Sequence, residues 1–412
     1  MEQSQILLND REQRAYYQNE LLTKYQKTLV VIKINYPGNQ KNNILTSYVV
    51  TKKYLEIKNI LKVNQYFTTS SAEGLIFYLI CDNDFYKTKE KMIQIENNSL
   101  GRLVDIDVYF QNKQLSRSDL NISARKCFIC DEDARICIRS QKHSITEIIN
   151  YFNNTVINDI FNSNLYSNLV LYGLINELNK PYNCGCVGIE STGIHNDMDY
   201  HTFIDSIDVI VAAFKKFSKI DTIYFDNLRE FGLKIENEMF KVTNGVNTYK
   251  GAIFSLILLL AGIKNTTNYQ DISTEIKRLS LNIFADFKND NLNNSFGQIL
   301  YRQSGNSGIR EQAYNGYEMV FNSYEPYYDK NKNLMATYVY IISNLNDTTI
   351  IKRGGINKLL ELQNKAKLVL SNEEYKMIDE YCLSNKLSCG GSADVLALTL
   401  ICNIVKNNYN LR

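Results

Sequence analysis

At 412 residues the chain is long for one hydrophobic core and comfortable for two. Its 46 basic and 44 acidic side chains leave a net charge of +2, which excludes a bulk field for nucleic acid or an anionic membrane, so an anionic ligand must be held by local clusters. A hydrophobic content of 44% suits folded domains, and the most apolar run, Ala252 to Ile263, falls short of the about 20 residues that cross a bilayer and reads as a buried helix.

The opening Met-Glu-Gln-Ser-Gln lacks a basic stretch followed by an apolar core, so no export signal is read. Nine scattered cysteines, an odd number, favour reduced thiols and a cytoplasmic setting. In chain order, helical spacing predicts a helix from Asp10 to Gln26, and the β-branched run Thr28 to Ile34 predicts a strand ending at the turn Asn-Tyr-Pro-Gly. Further strands are expected at Thr46 to Val50, Leu75 to Cys81 and Val104 to Phe110, which makes residues 1–162 a mixed α/β domain. Ile148 to Phe161 is helical in period, and Asn162-Ser-Asn164 offers the break.

Residues 163–412 read as an all-α helical bundle. Helices are expected at Leu165 to Leu178, Tyr200 to Phe217, Asn227 to Glu238, Ala252 to Ala261, Ile272 to Ala285, Leu334 to Ser343, Ile356 to Leu370, Glu373 to Cys382 and Ala393 to Val405. The polar and Gly-rich segments between them are expected to be loops that carry the chemistry, and Asn289 to Ser295 is the clearest loop-like patch.

Within the first domain, Gly101-Arg-Leu-Val-Asp105-Ile-Asp107-Val-Tyr-Phe110 puts two carboxylates on one face of a strand, roughly 7 Å apart at Cα. One divalent cation can bridge them, because close negative charges repel unless something positive lies between. The competing reading is a solvated strand face. Cys127-x2-Cys130-x6-Cys137-x5-His143 has thiolates and an imidazole at spacings that can close a tetrahedral zinc site, and it reads equally as small core residues beside a basic segment.

The second domain has five polar stretches. His195, Asp197 and Asp199 share a side of an extended loop and can hold a metal, although Asp199 can instead cap the next helix. Asn247-Thr248-Tyr249-Lys250-Gly251 before the apolar helix suits a phosphate, without being a Walker loop. Ser307 to Ala313 with Arg310, Asp347 to Gly355 with Arg353, and Ser388-Cys-Gly390-Gly391-Ser392-Ala-Asp394 add charge and a Gly-Gly helix start.

The aspartate pair resembles that of the citrate lyase holo-acyl-carrier-protein synthases. Arg11-Glu-Gln-Arg14, Gln18, Leu21-Leu22, Asn35-Tyr-Pro-Gly38-Asn-Gln-Lys41, Glu96, Ser116-Arg117 and Arg125 to His143 fit the same family. From about Leu165 the polar stretches, in their order and spacing, resemble triphosphoribosyl-dephospho-coenzyme A synthase. The resemblance implies a fused, bifunctional transferase. The second domain would join the adenosine 2′-hydroxyl of 3′-dephospho-coenzyme A to C1 of the ribose of ATP and expel adenine. The first, with nucleotidyltransferase-like chemistry, would pass the product to a serine of the apo-citrate lyase acyl carrier (γ) subunit and release pyrophosphate.

On that resemblance Asp105 and Asp107 would hold Mg²⁺, and Lys41, Arg102, Arg117, Arg125, Arg135 and Arg139 are candidates for the phosphates. In the second domain Asp197, Asp199, Asp347 and Asp394 are candidates for metal or base, with Asp197 and Asp199 as Mg²⁺ ligands. Lys250, Arg310 and Arg353, together with His195, Asn247, Thr248, Gly390, Gly391 and Ser392, would bind substrate. The chain departs from the family where Tyr182-Asn183-Cys184-Gly185 replaces Pro-Lys-Pro-Gly, where Tyr249 replaces His, and where Cys389 replaces Pro, which puts donor binding in question. The related pair of enzymes serving malonate decarboxylase, and a non-catalytic dephospho-coenzyme A or carrier-binding module, remain as rivals.

Overall fold

The structure, a computed structural model, describes residues 3–98, 100–111, 113–130, 132–162, 164–220, 223–284, 308–369 and 371–411. Asn289 to Ser295, and the expected positions Ala285, Ser307 and Leu370, lie outside the described residues. Two compact units emerge, Met1–Ser163 and Asn164–Arg412.

The first unit is a five-stranded antiparallel sheet, β1 (Thr28–Ile34), β2 (Val63–Ser71), β3 (Gly74–Cys81), β4 (Val104–Phe110) and β5 (Lys113–Leu115), in the order β2-β3-β1-β4-β5. Its helices are α1 (Gln3–Tyr25), α2 (Ile44–Lys58), α3 (Phe85–Glu96), α4 (Ala134–Ser140) and α5 (Ile145–Phe161). Leu29, Val31, Ile76, Tyr78 and Ile80 form one apolar face under Leu21 and Leu22 of α1. On the opposite face Tyr54 of α2 stacks on Phe77 of β3, with ring centroids 4.1 Å apart, a geometry that adds about 0.5–1.5 kcal/mol to the burial itself.

The expected strand at Thr46 to Val50 is part of α2. Asn43 caps that helix: its side chain accepts from the amides of Leu45 and Thr46 at 3.0 Å, and Thr46 Oγ1 accepts from the Asn43 amide at 3.0 Å. Every residue from Thr46 to Val50 is buried, so the run has no period by which a strand and a helix differ. The capping box decides.

The second unit is helical: α6 (Leu165–Leu178), α7 (Tyr200–Phe214), α8 (Phe225–Val242), α9 (Lys250–Asn265), α10 (Ile272–Leu279), α11 (Ile309–Tyr314), α12 (Glu325–Asn331), α13 (Leu334–Asn344), α14 (Thr348–Lys367), α15 (Asn372–Ser384) and α16 (Gly390–Asn407). α6, α9 and α16 are buried almost all round and form the centre, which accounts for the apolar run after Ala252. Among the described residues no helix is long and apolar enough to cross a membrane. The expected loop from Asp347 to Gly355 is instead the first turns of α14. That helix kinks at Gly355, whose φ of 76° suits glycine, and the predicted start at Ile356 marks the kink.

Candidate active sites

In the first unit the alternation of β4 works as its sequence requires. Val104, Ile106 and Val108 are buried, while Asp105 and Asp107 project from the other face and are partly exposed. Opposite them on β1 stands Lys33, in register with Asp105. Its ammonium is ion-paired with Asp107 and lies 3.9 Å from Asp105 Oδ2. Burial pushes Asp107 up, and the Lys33 charge and hydrogen bond outweigh it, so the carboxyl sits below the usual range. At the same end of the sheet, buried Glu73 accepts from Arg14 Nε at 2.6 Å and lies 3.6 Å from Arg11 Nε. Lys41 belongs to this group: burial first, then Arg11, lowers its pKa.

A cavity of about 900 Å³ opens beside this group, lined by Arg102, Arg117 and Arg125 among others. Glu96, buried at the end of α3, organises these side chains: it accepts from Arg117 at 2.9 Å and the Ile106 amide at 3.0 Å, and it is paired with Arg125. Arg125 also donates to Asp105 at 2.7 Å, which links the cavity to the aspartate pair. Arg102 binds the carbonyls of Lys126, at 2.9 Å, and Cys127. Arg135 pairs with Asp133 at 2.8 Å, and Arg139 is exposed on α4; neither lines the cavity. Cys127, Cys130, Cys137 and His143 come together, with their ligand atoms all within 4.8 Å of one another.

In the second unit a cavity of about 400 Å³ gathers residues from segments far apart in sequence: His195 and Asp197, Asn247 to Gly251, Asp347 to Thr349 with Lys352 and Arg353, and Gly390, Gly391 and Asp394. The first turns of α9, α14 and α16 all contribute, so the positive ends of three helices face one space, with the Gly390, Gly391 and Ser392 amides already donated to Thr349 Oγ1 and Asp347. Such a surface favours phosphate. Beneath it lie acids: Glu177 and Asp394, with Asp347 behind.

Asp394 takes no hydrogen bond from the described residues. Burial, then Glu177 and Asp347, pushes its carboxyl well above the usual range. Gly251 makes room for it, since a Cβ there would stand 2.4 Å from Asp394 Oδ2. Asp347 is the opposite case. It caps α14 through the Thr349 amide at 2.9 Å and hydroxyl at 2.6 Å, and takes the amide and hydroxyl of Ser392 at 2.7 and 2.9 Å. Buried Glu177 accepts from Lys180 at 2.7 Å and from the Tyr249 hydroxyl at 3.4 Å. His195 is 3.3 Å from Ser388 Oγ, and burial, then Arg353, lowers its pKa, so the ring is neutral at pH 7.

Several expected residues fall outside this cavity lining. Asp199 caps α7, accepting from the Thr202 amide at 2.9 Å and hydroxyl at 2.8 Å, as an Asp before a helix can. Arg310 donates to the Ile283 carbonyl at 2.9 Å, with its guanidinium 6.0 Å from the Phe254 ring centroid. Ser392 lies one layer back, on Asp347. Lys250 lines the space, yet its ammonium is paired with Glu236 of α8 at 3.0 Å. The Thr248 hydroxyl donates to Ser206 Oγ at 2.8 Å, and Asn247 Oδ1 accepts from the Lys250 amide at 3.1 Å. Two family departures touch: the Cys389 amide donates to the Cys184 carbonyl at 3.2 Å, a bond proline at 389 could not make.

Sequence reasoning missed Lys33, Glu73, Glu177, Lys180 and Lys352. The signal for Lys33 and Glu177 was present: each is a charge inside an apolar run, which is costly unless paired.

Residues 3–159 match the family described as apo-citrate lyase phosphoribosyl-dephospho-CoA transferase, and residues 163–412 match the family described as ATP:dephospho-CoA triphosphoribosyl transferase. Protein CitXG of Haemophilus influenzae is 30% identical, over 96% of this chain and 95% of that protein. Protein CitXG of Leuconostoc mesenteroides subsp. cremoris is 28% identical with the same coverage of both chains. The 2-(5''-triphosphoribosyl)-3'-dephosphocoenzyme-A synthase of Haemophilus ducreyi is 30% identical over 66% of this chain and 98% of its own length. The chain therefore belongs to the fused transferases that carry an apo-citrate lyase phosphoribosyl-dephospho-CoA transferase and an ATP:dephospho-CoA triphosphoribosyl transferase in tandem.

Proposed function

We propose that the helical unit makes 2′-(5″-triphosphoribosyl)-3′-dephospho-coenzyme A and that the α/β unit attaches it to the apo-citrate lyase acyl carrier (γ) subunit. In the first step the adenosine 2′-oxygen of dephospho-coenzyme A attacks C1 of the ribose of ATP. The bond from C1 to the base nitrogen breaks, its electron pair leaves on adenine, and the triphosphate stays on the sugar. Displacement at an anomeric carbon passes through an oxocarbenium-like state, which nearby acids stabilise. Asp394 is the candidate base: it takes no hydrogen bond among the described residues and its pKa is raised, so once ionised it is a stronger base than an ordinary carboxylate. Arg353, Lys352, Lys250 and the three helix starts are the candidates for holding the triphosphate.

The donors present suit Mg²⁺ in its usual mode, arriving with nucleotide phosphates and bound by one or two protein carboxylates. Asp347 has four hydrogen-bond donors on its carboxylate already, and Asp394 is kept for the base, which leaves Asp197 as the candidate protein ligand. In the α/β unit Asp105 and Asp107 would hold the ion, and Lys33 shows that a positive charge fits between them. Bound there, Mg²⁺ would neutralise the triphosphate. The carrier serine hydroxyl attacks the phosphorus next to the ribose, the bond to pyrophosphate breaks, and Arg102, Arg117 and Arg125, which line the cavity, are the candidates for the leaving charge. The nine cysteines, all free, suit a reducing cytoplasm.

The observation that carries this reading is the convergence of Lys250, Arg353, Asp394 and His195 on one cavity in a chain whose halves match the two transferase families. Purified protein supplied with ATP, dephospho-coenzyme A and Mg²⁺ should release adenine, and apo-carrier added next should gain the mass of the prosthetic group. ATP bound without release of adenine would point to the binding-module reading.

A further inference from the structure

α4 raises a question of stability: its seven residues carry one buried side chain, Cys137, while Ile136 and Ile138 are 58% and 72% exposed. An isolated helix of two turns does not persist in water, and this one buries too little to be held by the hydrophobic effect. Its buried thiol points to what holds it. Cys137 Sγ is 3.4 Å from Cys130 Sγ, and His143 Nε2 is 3.3 Å from the same sulfur. Cys127 completes the set, all four ligand atoms lying within 4.8 Å of one another. A tetrahedral zinc with three thiolates and one imidazole needs ligand atoms roughly 3.5–3.8 Å apart, a small adjustment from this arrangement.

The surrounding backbone is built for such a site. Lys126 and Asp133 form an isolated antiparallel bridge, and the Cys127 amide donates to the Glu132 carbonyl at 2.7 Å, so the Cys127 to Cys130 segment turns back on itself. The Ile129 amide donates to Cys127 Sγ at 3.5 Å, a contact that favours a thiolate. The Lys142 amide binds the Cys137 carbonyl at 3.1 Å, which brings His143 round to the cluster just before α5 starts at its Ser144 cap. Glu132, 3.8 Å from Cys137 Sγ, is held by Lys142 at 2.7 Å.

We propose that Cys127, Cys130, Cys137 and His143 bind one structural zinc ion, which fastens α4 and the start of α5 to the loop gripped by Arg102. Cys127, Cys137 and His143 line the same cavity as Arg102, Arg117 and Arg125, so the ion fixes the shape of that wall and takes no part in bond making. Its loss loosens residues 126–144 and leaves the sheet intact.

The full chain, produced with zinc in the medium, should carry about one zinc per molecule by elemental analysis. A mercurial thiol reagent should release it, as read by a chromogenic chelator. Cys137→Ser with His143→Ala should purify with far less zinc and a far-ultraviolet spectrum that loses no more than the short α4, and proteases should cut it faster between 126 and 144. Cobalt substituted into the wild type should give the visible bands of a tetrahedral thiolate site. Well-folded wild type with zinc far below one per molecule overturns the proposal. So does undiminished zinc in the double variant, or a disulfide between Cys130 and Cys137 found by mass spectrometry in protein purified under reductant.

Discussion

Lys33 is ion-paired with Asp107 across neighbouring strands, and the same ammonium lies 3.9 Å from Asp105 Oδ2. The pairing sets a pH dependence. A carboxyl held below its ordinary range contributes stability that is present above the unfolded value near 4 and lost as pH falls through the folded value. Lys33→Met leaves Asp105 with Arg125 and Asp107 with Gln114, so Asp107 loses its ion pair, its carboxyl moves up under burial, and the slope flattens. The variant should lose stability at pH 7, by less than the about 3–5 kcal/mol of a fully buried pair because Asp107 keeps Gln114, and the loss should shrink towards pH 4. Thermal melts across that range measure it. Mg²⁺ should raise the melting temperature of the variant more than that of the wild type; equal, negligible responses would count against the pair as a cation site.

Asp394 runs the other way. Its carboxyl is raised by burial and by Glu177 and Asp347, so the folded protein keeps a proton the unfolded chain has released, and stability falls as pH rises from about 4 towards the folded value. Asp394→Asn removes that loss. Its melting temperature should exceed the wild type's at pH 7, the gap closing towards pH 4, while adenine release falls by on the order of 10²–10⁴. A variant that is stabilised and still releases adenine normally would exclude Asp394 as the base.

Gly251→Ala tests the same carboxylate from across the cavity. The added Cβ would meet Asp394 Oδ2 at 2.4 Å, so the carboxylate must swing from its place in the cavity. Overpacking of this kind costs about 1–3 kcal/mol. Adenine release should drop with little change in the helical spectrum, and steady-state kinetics should put the loss mainly in kcat.

Much of the fold was legible because its elements have clean periods. β1 and β4 alternate or run β-branched between turn residues, and α6 and α16 carry apolar runs of helical length. α2 was misread because a buried run has no period, and β2 escaped notice because its Asn, Gln, Thr and Ser give little apolar contrast at a sheet edge. At the sites, the strand-facing Asp105 and Asp107 could be read locally. The joining of His195, Lys250, Arg353 and Asp394 could not, since only tertiary packing of α9, α14 and α16 brings their helix starts together. Asp347 and Asp199 looked alike in sequence, and both turned out to cap helices. Only Asp347 does so against the cavity.

The helical unit has its own buried centre, so residues 164–412 expressed alone should fold and release adenine from ATP and dephospho-coenzyme A without loading a carrier. Circular dichroism and chromatography of the products check both halves of that statement.

The central claim, two chemistries at two separate sites, is tested most directly by pairing Asp107→Asn with Asp394→Asn in the full chain and following adenine release and carrier mass together. Asp107→Asn should release adenine at the wild-type rate and leave the carrier unloaded. Asp394→Asn should release adenine slower by on the order of 10²–10⁴, yet load the carrier normally when given the preformed triphosphoribosyl donor. Loss of both activities in either variant, with the fold intact, would contradict the account.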